Sequence, residues 1–245
     1  MLLLVKKFYR FFKFYRGPFF SWDSAINKSM GYDNDKILNH IYMMAKKAKK
    51  KGLIEKDGFL KKKFEINSFL KKIIKKNNVN LNILDFGGGF GTLYFQFKKF
   101  NQNFNWYIVE QKKVCNLAKS LINNEKKLSY HTDFKFLKKK KIDIVILSSS
   151  IQYVKDYKSV LVKIKKLKPS YIVFLKTPLN RWLFNFLFVQ KIPQNMYEGS
   201  YPSWIFSIKT INKILLPSYK LTYKNKVEPR LFFSDHFDLF YKIAS

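Results

Sequence analysis

The sequence predicts an α/β fold: a doubly wound, mostly parallel sheet preceded by helices. Three observations carry that expectation. Short apolar runs alternate with helical patterns from about residue 81 to residue 175. A glycine cluster, ILDFGGGFGT at 83–92, follows directly on the first of those runs. Polar residues recur just behind each apolar run, where the carboxyl ends of parallel strands would gather them around a ligand.

Taken in order, the first eighty residues read as mostly helical. A short helix over 22–29 is stopped at Gly31, and Asp33 or Asp35 can cap a second one running to about Lys51, with Gly52 behind it. Ile37, Leu38, Ile41, Tyr42, Ala45 and Ala48 fall at helical spacing along it, and its lysines lie mainly off that stripe. A third helix is expected over roughly 60–76, with Leu60, Phe64, Phe69, Leu70, Ile73 and Ile74 inward. Then the period changes. Strands are expected over Leu81–Leu84, Trp106–Val109, Ser129–His131, Ile142–Leu147 and Tyr171–Leu175, with helices over 92–100, 113–123 and 156–167 between them. Residues 176–216 hold Pro178, Pro193 and Pro202 among many aromatics and read as an irregular, lid-like insertion after the fifth strand. Tyr219–Val227 and Leu231–Ile243 read as an antiparallel pair closing the sheet. The expected organisation is therefore a helical extension or cap over 1–80 and an α/β domain over 81–245, with its insertion at 176–216.

Composition bounds the partners. The chain has 245 residues and a formal charge of +32, from 48 Lys and Arg against 16 Asp and Glu. That charge suits nucleic acid or an anionic membrane. However, Lys, Asn, Ile, Phe and Tyr are all encoded by AT-rich codons, so base composition is a competing source, and the lysines scatter along the whole chain. One cysteine, Cys115, excludes an intramolecular disulfide and suits a reducing cytoplasm. No apolar run approaches the ~18 residues of a membrane span, and the apolar block at the start is too short for a signal peptide. The start, MLLLVKKFYRFFKFYRG, is a dense mixture of aromatics and cations. Residues 1–16 read either as a packing helix or as a peripheral contact with anionic membrane, and the expected location is cytoplasmic with that possible membrane contact.

The spacing of the glycines selects the ligand. The dinucleotide pattern G-x-G-x-x-G/A, begun at Gly87, would need Gly or Ala where Thr92 stands, and the Walker pattern lacks its Lys-Ser/Thr. Asp85, Gly87, Gly89 and Gly91 instead fit acidic-x-G-x-G-x-G, with Gly88 between them. This resembles the first motif of class I S-adenosylmethionine (SAM) methyltransferases. The polar residues behind the other strands suit the same ligand. Glu110 can accept hydrogen bonds from a ribose diol, Asp133 can hold the adenine amino group, and Ser148 and Ser149 can face the methyl donor. The resemblance implies a Rossmann-like methyltransferase fold, SAM as cofactor and S-adenosylhomocysteine as product. No His/Cys/Asp cluster has metal-ligand spacing, so no metal is expected.

A narrower resemblance covers nearly everything from residue 16 to 244. RGPFFSWDSAINKSMGYD at 16–33, LDFGGGFGTLYFQ at 84–96, VEQ at 109–111, LSSSIQYV at 147–154, TPL at 177–179 and VQKIPQNMYEGSYPSWIFS at 189–207 carry it. These segments resemble a methyltransferase family encoded in bacterial surface-polysaccharide gene clusters. Lys176 departs from the arginine expected before Thr-Pro. The resemblance implies a class of chemistry, methyl transfer, rather than a particular reaction; the acceptor reading taken here is a hydroxyl or amino group of a saccharide, or of its nucleotide- or lipid-linked precursor.

The late segment supplies the acceptor candidates. Tyr201 and Trp204 offer aromatic faces to a sugar, and Gln190 and Glu198 can hydrogen-bond its hydroxyls, with Gln152 and Tyr153 after the fourth strand alongside. Glu198 is the foremost candidate base, with Tyr197 and His236 as further catalytic candidates. His40 reads as structural, and His131 either as structural or as a lining of the cofactor pocket. Two other classes stay open: an RNA methyltransferase using the basic surface, and a SAM-binding module without catalysis. Base methylation is disfavoured, because SSSIQY replaces the Asn/Asp-Pro-Pro-aromatic motif and Cys115 lies on a helix away from the strand ends.

Overall fold

Strand structure begins earlier and lasts longer in the computed structural model than the sequence pattern indicates. The structure describes residues 8–9, 11–32, 34–51, 53–56, 59–61, 67–76, 80–100, 103–122, 125–193, 197–228 and 234–244. Its centre is a parallel sheet of β4 (Leu81–Phe86), β5 (Phe104–Val109), β6 (Leu128–His131), β7 (Ile144–Ser148) and β8 (Tyr171–Asn180), in the order β6-β5-β4-β7-β8. The strands are near-continuous apolar runs because both faces are covered. Within β7, Val145 and Leu147 enter the cluster on one face, while Ile144 and Ile146 enter the cluster on the other, as strand periodicity requires. Helices α6 (Tyr157–Lys166) and α7 (Ile208–Leu215) fill the first face, and α3 (Ser68–Lys76) and α4 (Thr92–Lys98) the second. The expected antiparallel pair is β11 (Tyr219–Glu228) and β12 (Ser234–Ile243), with β12 laid against β8.

Three expectations differ from the structure. Residues 60–76 are not one helix: Ile54–Lys56 and Phe59–Lys61 form a hairpin, β2 and β3, and α3 starts only at Ser68. Asn67 caps that helix, its Oδ1 accepting from the N–H groups of Phe69 and Leu70; residues 62–66 lie outside the described residues. The second N-terminal helix, α2 (Asp35–Lys51), is opened by Asn34, whose Oδ1 accepts from Lys36 N–H at 3.0 Å. Asp35 sits in its first turn and pairs with Lys113, and Asp33 lies outside the described residues.

Residues 176–216 are the largest departure. They are not irregular: β8 runs on to Asn180, and β9 (Phe186–Lys191), β10 (Ser200–Ser207) and α7 follow. The fifth parallel strand turns at Lys176, with φ 52°, just where pairing to β7 ends at Ser148 and Leu175. Buried Asp238, at a register shift in β12, accepts the Lys176 N–H at 2.8 Å and the side-chain amide of Asn67. Pro178 is tolerated because β8 has left β7 there and meets β10 only at Leu179. Pro202 sits in β10 before that strand gains its second neighbour at Phe206. The N-terminal block contributes β1 (Tyr15–Phe19) to this second, antiparallel array, ordered β1-β9-β10, in addition to helix α1 (Trp22–Ile26). Residues 16–33 and 189–207 are thus neighbours in space, through β1 on β9 and through Met30 and Gly31 N–H groups on the Ser200 carbonyl, both 3.1 Å.

Candidate active site

The glycine loop leaves β4 at Phe86 and enters α4 at Thr92. A side chain at Gly88 would meet the Asp85 carboxylate at 2.5 Å, and one at Gly87 would meet Ser150 Cβ at 2.4 Å. The loop is therefore pressed between its own strand end and that of β7. Gly89 differs: its φ is 55°, and a Cβ there would point into open space. The backbone is thus bare on one side and supported from behind, the form a ligand-approaching turn requires. Gly91, at φ 82°, opens α4 beside the Tyr130 hydroxyl.

Two carboxylates lie against the loop, and one of them, Glu110, bonds it. Asp85 is fully buried beneath it, with Oδ2 accepting from the Trp106 indole at 3.2 Å and Oδ1 without a partner among the described residues. Burial pushes this carboxyl up to about 7; the Trp106 bond lowers it and the Glu110 charge raises it further. Glu110, just past β5, accepts from Gly89 N–H at 3.2 Å and Gln111 N–H at 2.9 Å. Burial raises its pKa as well, against the lowering effect of those two bonds. Asp133 is exposed and caps the turn after β6, accepting from Lys135 N–H at 2.8 Å. Beside it, Phe134 stacks on Phe86 at 5.9 Å, an apolar wall that the sequence pattern did not single out.

The β7 end supplies the other flank. Ser148 ends the strand, Ser149 has φ 52° and donates its N–H to the Leu175 carbonyl, and buried Ser150 backs Gly87. One turn on, Gln152 is buried with Oε1 unpartnered, and Tyr153 donates its hydroxyl to Gln190 Oε1 at 3.1 Å. Tyr32 stacks on Tyr153 at 5.6 Å and meets Tyr201 edge-on at 5.1 Å, while Tyr153 and Tyr201 meet edge-on at 4.8 Å. Tyr201 is bonded to Tyr197, and burial holds its hydroxyl well above the ordinary tyrosine pKa. Tyr197 in turn lies 5.2 Å from the ring of His40, whose Nε2 is buried without a hydrogen-bond partner. Helix α2 carries His40 over the loop, since its Leu38 packs in one cluster with Phe90, Val114 and Ala118.

The structure therefore brings Gln152, Tyr153, Gln190, Tyr197 and Tyr201 into one group next to the Ser148–Ser150 turn. Glu198 is exposed beside that group, ahead of Gly199, which abuts Ile37 of α2. Trp204 lies apart from the group. Its indole donates to the Val154 carbonyl at 3.2 Å and packs on Trp22 and Tyr157, so it braces the sheet. His236 is also remote: it pairs with Pro178 on the far side of β8, three strand spacings, roughly 14 Å, from β4. His131 faces Phe136, stacked at 3.4 Å, with Nε2 on Ser129 Oγ. Tyr32 and His40 are the group members that sequence reasoning missed as site residues. Their available signal was position: Tyr32 lies in the Gly31-Tyr32-Asp33 block, and His40 stands three residues after Ile37, on the buried stripe.

A protein-family model described as "Methyltransferase domain" matches residues 59–216. No curated protein matches the chain. Among solved structures, a SAM-dependent methyltransferase from Methanosarcina mazei is similar over 74% of this chain and 99% of its own, at 13% identity and a TM-score of 0.55. The N-terminal domain of EvdMO1, crystallised with S-adenosylhomocysteine and D-fucose, is similar over 84% and 97%, at 10% identity and a TM-score of 0.55. The glycopeptide N-methyltransferase MtfA, complexed with SAM, is similar over 73% and 88%, at 10% identity and a TM-score of 0.51. At these identities the likeness is one of fold.

Proposed function

Because this chain belongs to the class I SAM-dependent methyltransferases, we propose that it methylates a hydroxyl or amino group of a saccharide, or of a nucleotide- or lipid-linked saccharide precursor. The observation that carries the reading is the group of tyrosines and glutamines beside the glycine loop. Flat aromatic faces pack on sugar C–H groups, and Gln152 has a buried carbonyl oxygen with no partner among the described residues.

The residues fit the cofactor. The open face at Gly89 receives the backbone approach, Glu110 has lone pairs left for ribose hydroxyls, and Phe86 and Phe134 supply an apolar wall near Asp133. Asp85 lies beneath, bonded to Trp106 and so close to Gly88 that no side chain fits there. When bound, SAM supplies a methyl group on a sulfonium sulfur that leaves as the thioether of S-adenosylhomocysteine. The chain must align the acceptor with that methyl and exclude water. Ser148 and Ser149 border the methyl side, and Tyr153, Gln190 and Tyr201 orient the acceptor. Two groups can take the proton that a hydroxyl acceptor loses. Glu198 stands at the rim, with Tyr197 beside it, and His40 presents a buried ring nitrogen without a partner. His236 and Trp204 have no part in this arrangement.

The test is methyl transfer to a panel of sugar nucleotides by the intact chain and by Glu198→Gln and His40→Gln. Removal of the base lowers transfer by roughly 10²-fold or more while SAM affinity is kept. Turnover unchanged in both variants excludes both as the base. SAM binding with no transfer to any saccharide on the panel refutes the acceptor class and leaves the family assignment standing.

A further inference from the structure

A loop and a groove share one wall. The loop, residues 181–185, joins β8 to β9 and reads Arg-Trp-Leu-Phe-Asn. Its backbone is tied inward by buried Asn180, which accepts from Trp182 N–H at 2.8 Å and donates to the carbonyls of Phe184 and Ile205, both at 3.0 Å. Its side chains go outward: Trp182 is 41% exposed, Leu183 66% and Phe184 57%. Single exposed apolar residues are ordinary, but three in succession on a braced loop form a patch.

Leu183 also lines a groove of about 1160 Å³ between α6 and α7. Lys158, Lys166, Lys168, Lys209 and Lys213 line it too, and among the described residues no carboxylate does. Lys165 is already committed, donating to the Ile214 carbonyl across the two helices at 2.9 Å. From the loop, ring contacts continue without a break. Trp182 and Phe184 touch Phe186 at 5.5 and 4.9 Å, Phe186 meets Phe188 at 6.3 Å, and Phe188 meets Phe11 at 5.0 Å. Phe11 leads on to Phe12, and Phe8 and Tyr9 beside it are exposed as well.

We infer that this face docks on an anionic lipid bilayer, with Trp182, Leu183 and Phe184 entering the interface and the groove lysines lying on the headgroups. A loop can enter the interface when its backbone groups are satisfied internally, as Asn180 arranges here. Lysines beside it add attraction to an anionic leaflet within a Debye length. RNA would use the same lysines, but it gains from ring stacking rather than from burying Leu183, Val162 and Leu216, all exposed around this groove and its helices. The aromatic chain joins the loop to residues 8–12 through buried Phe188 and Phe11, so two segments far apart in sequence are packed together.

Flotation of the intact chain with phosphatidylcholine vesicles, with and without phosphatidylglycerol, tests the inference. Binding is expected on the anionic vesicles and at least about tenfold weaker on neutral ones. The double variants Leu183→Ser/Phe184→Ser and Lys166→Glu/Lys213→Glu each lower binding by about tenfold or more. SAM affinity and Tm stay unchanged, because none of the four residues touches the glycine loop. Should the loop variant melt early, the fluorescence difference between the intact chain and Trp182→Phe decides instead: a blue shift of Trp182 is expected on anionic vesicles only. Equal binding to both vesicle types, undiminished binding of a folded double variant, or an unshifted Trp182 overturns the inference. So does a single-stranded RNA oligomer that binds through the lysines alone and displaces the chain from vesicles.

Discussion

Replacing Asp85 with Asn tests whether the carboxylate under the glycine loop is a pH-dependent liability. Burial holds this carboxyl at about 7 in the folded chain, against an ordinary value of 3.8. The folded state therefore binds a proton that the unfolded state releases across that interval. Stability from this group is greatest below the unfolded value, falls as pH rises through the window, and levels off above the folded value. At about 1.4 kcal/mol per pH unit, the full interval amounts to about 4 kcal/mol, reduced by whatever solvent or backbone relaxation the charged form induces. Asn keeps an oxygen for the Trp106 indole but places an amide where Oδ1 has no partner, a penalty of about 1–3 kcal/mol at every pH. Asp85→Asn is thus expected to be less stable than the parent near pH 4 and to match or exceed it near pH 8. Urea unfolding monitored across that range gives the two curves. Parallel curves would refute the argument, because they would mean that the carboxyl titrates alike in both states.

Other outcomes follow from the same geometry. Gly89→Val puts a branched side chain at φ 55° into the open space the loop faces, so calorimetric SAM binding should be lost while the fold survives; SAM affinity retained, or NAD bound instead, refutes the cofactor assignment. Tyr201→Ala opens the tyrosine group and should raise the acceptor KM more than it changes SAM affinity; a joint loss of both, with lowered Tm, would make Tyr201 a brace. Asp238→Ala orphans the Lys176 N–H and the Asn67 amide, and should destabilise by about 2–4 kcal/mol in urea unfolding with little change in SAM affinity.

The sequence by itself determined the parallel half of this protein and the glycine loop at its centre. The strands from Leu81 to Leu175 are apolar on both faces and separated by amphipathic helices, so local pattern and burial agree, and the glycine spacing needs no distant partner to be recognised. Asp85, Glu110 and Ser148 could be placed because they stand at the carboxyl ends of strands whose direction the pattern fixes. Local signals failed where the partner was far away in the chain. Pro178 and Pro202 argue against strands on their own, and only the staggered pairing of β7, β8 and β10 leaves room for them. The arrest of α3 at Ser68 depends on Asn67, which in turn bonds Asp238 on the last strand. The group of tyrosines and glutamines was the least legible as a group. Tyr32, His40, Tyr153, Gln190 and Tyr201 come from five stretches of sequence; Tyr153, Gln190 and Tyr201 stand out one by one as polar or aromatic candidates, whereas Tyr32 and His40 read as packing residues. They meet because β1 joins β9 and the Gly31 N–H reaches Ser200, contacts between positions about 170 residues apart that no local periodicity encodes.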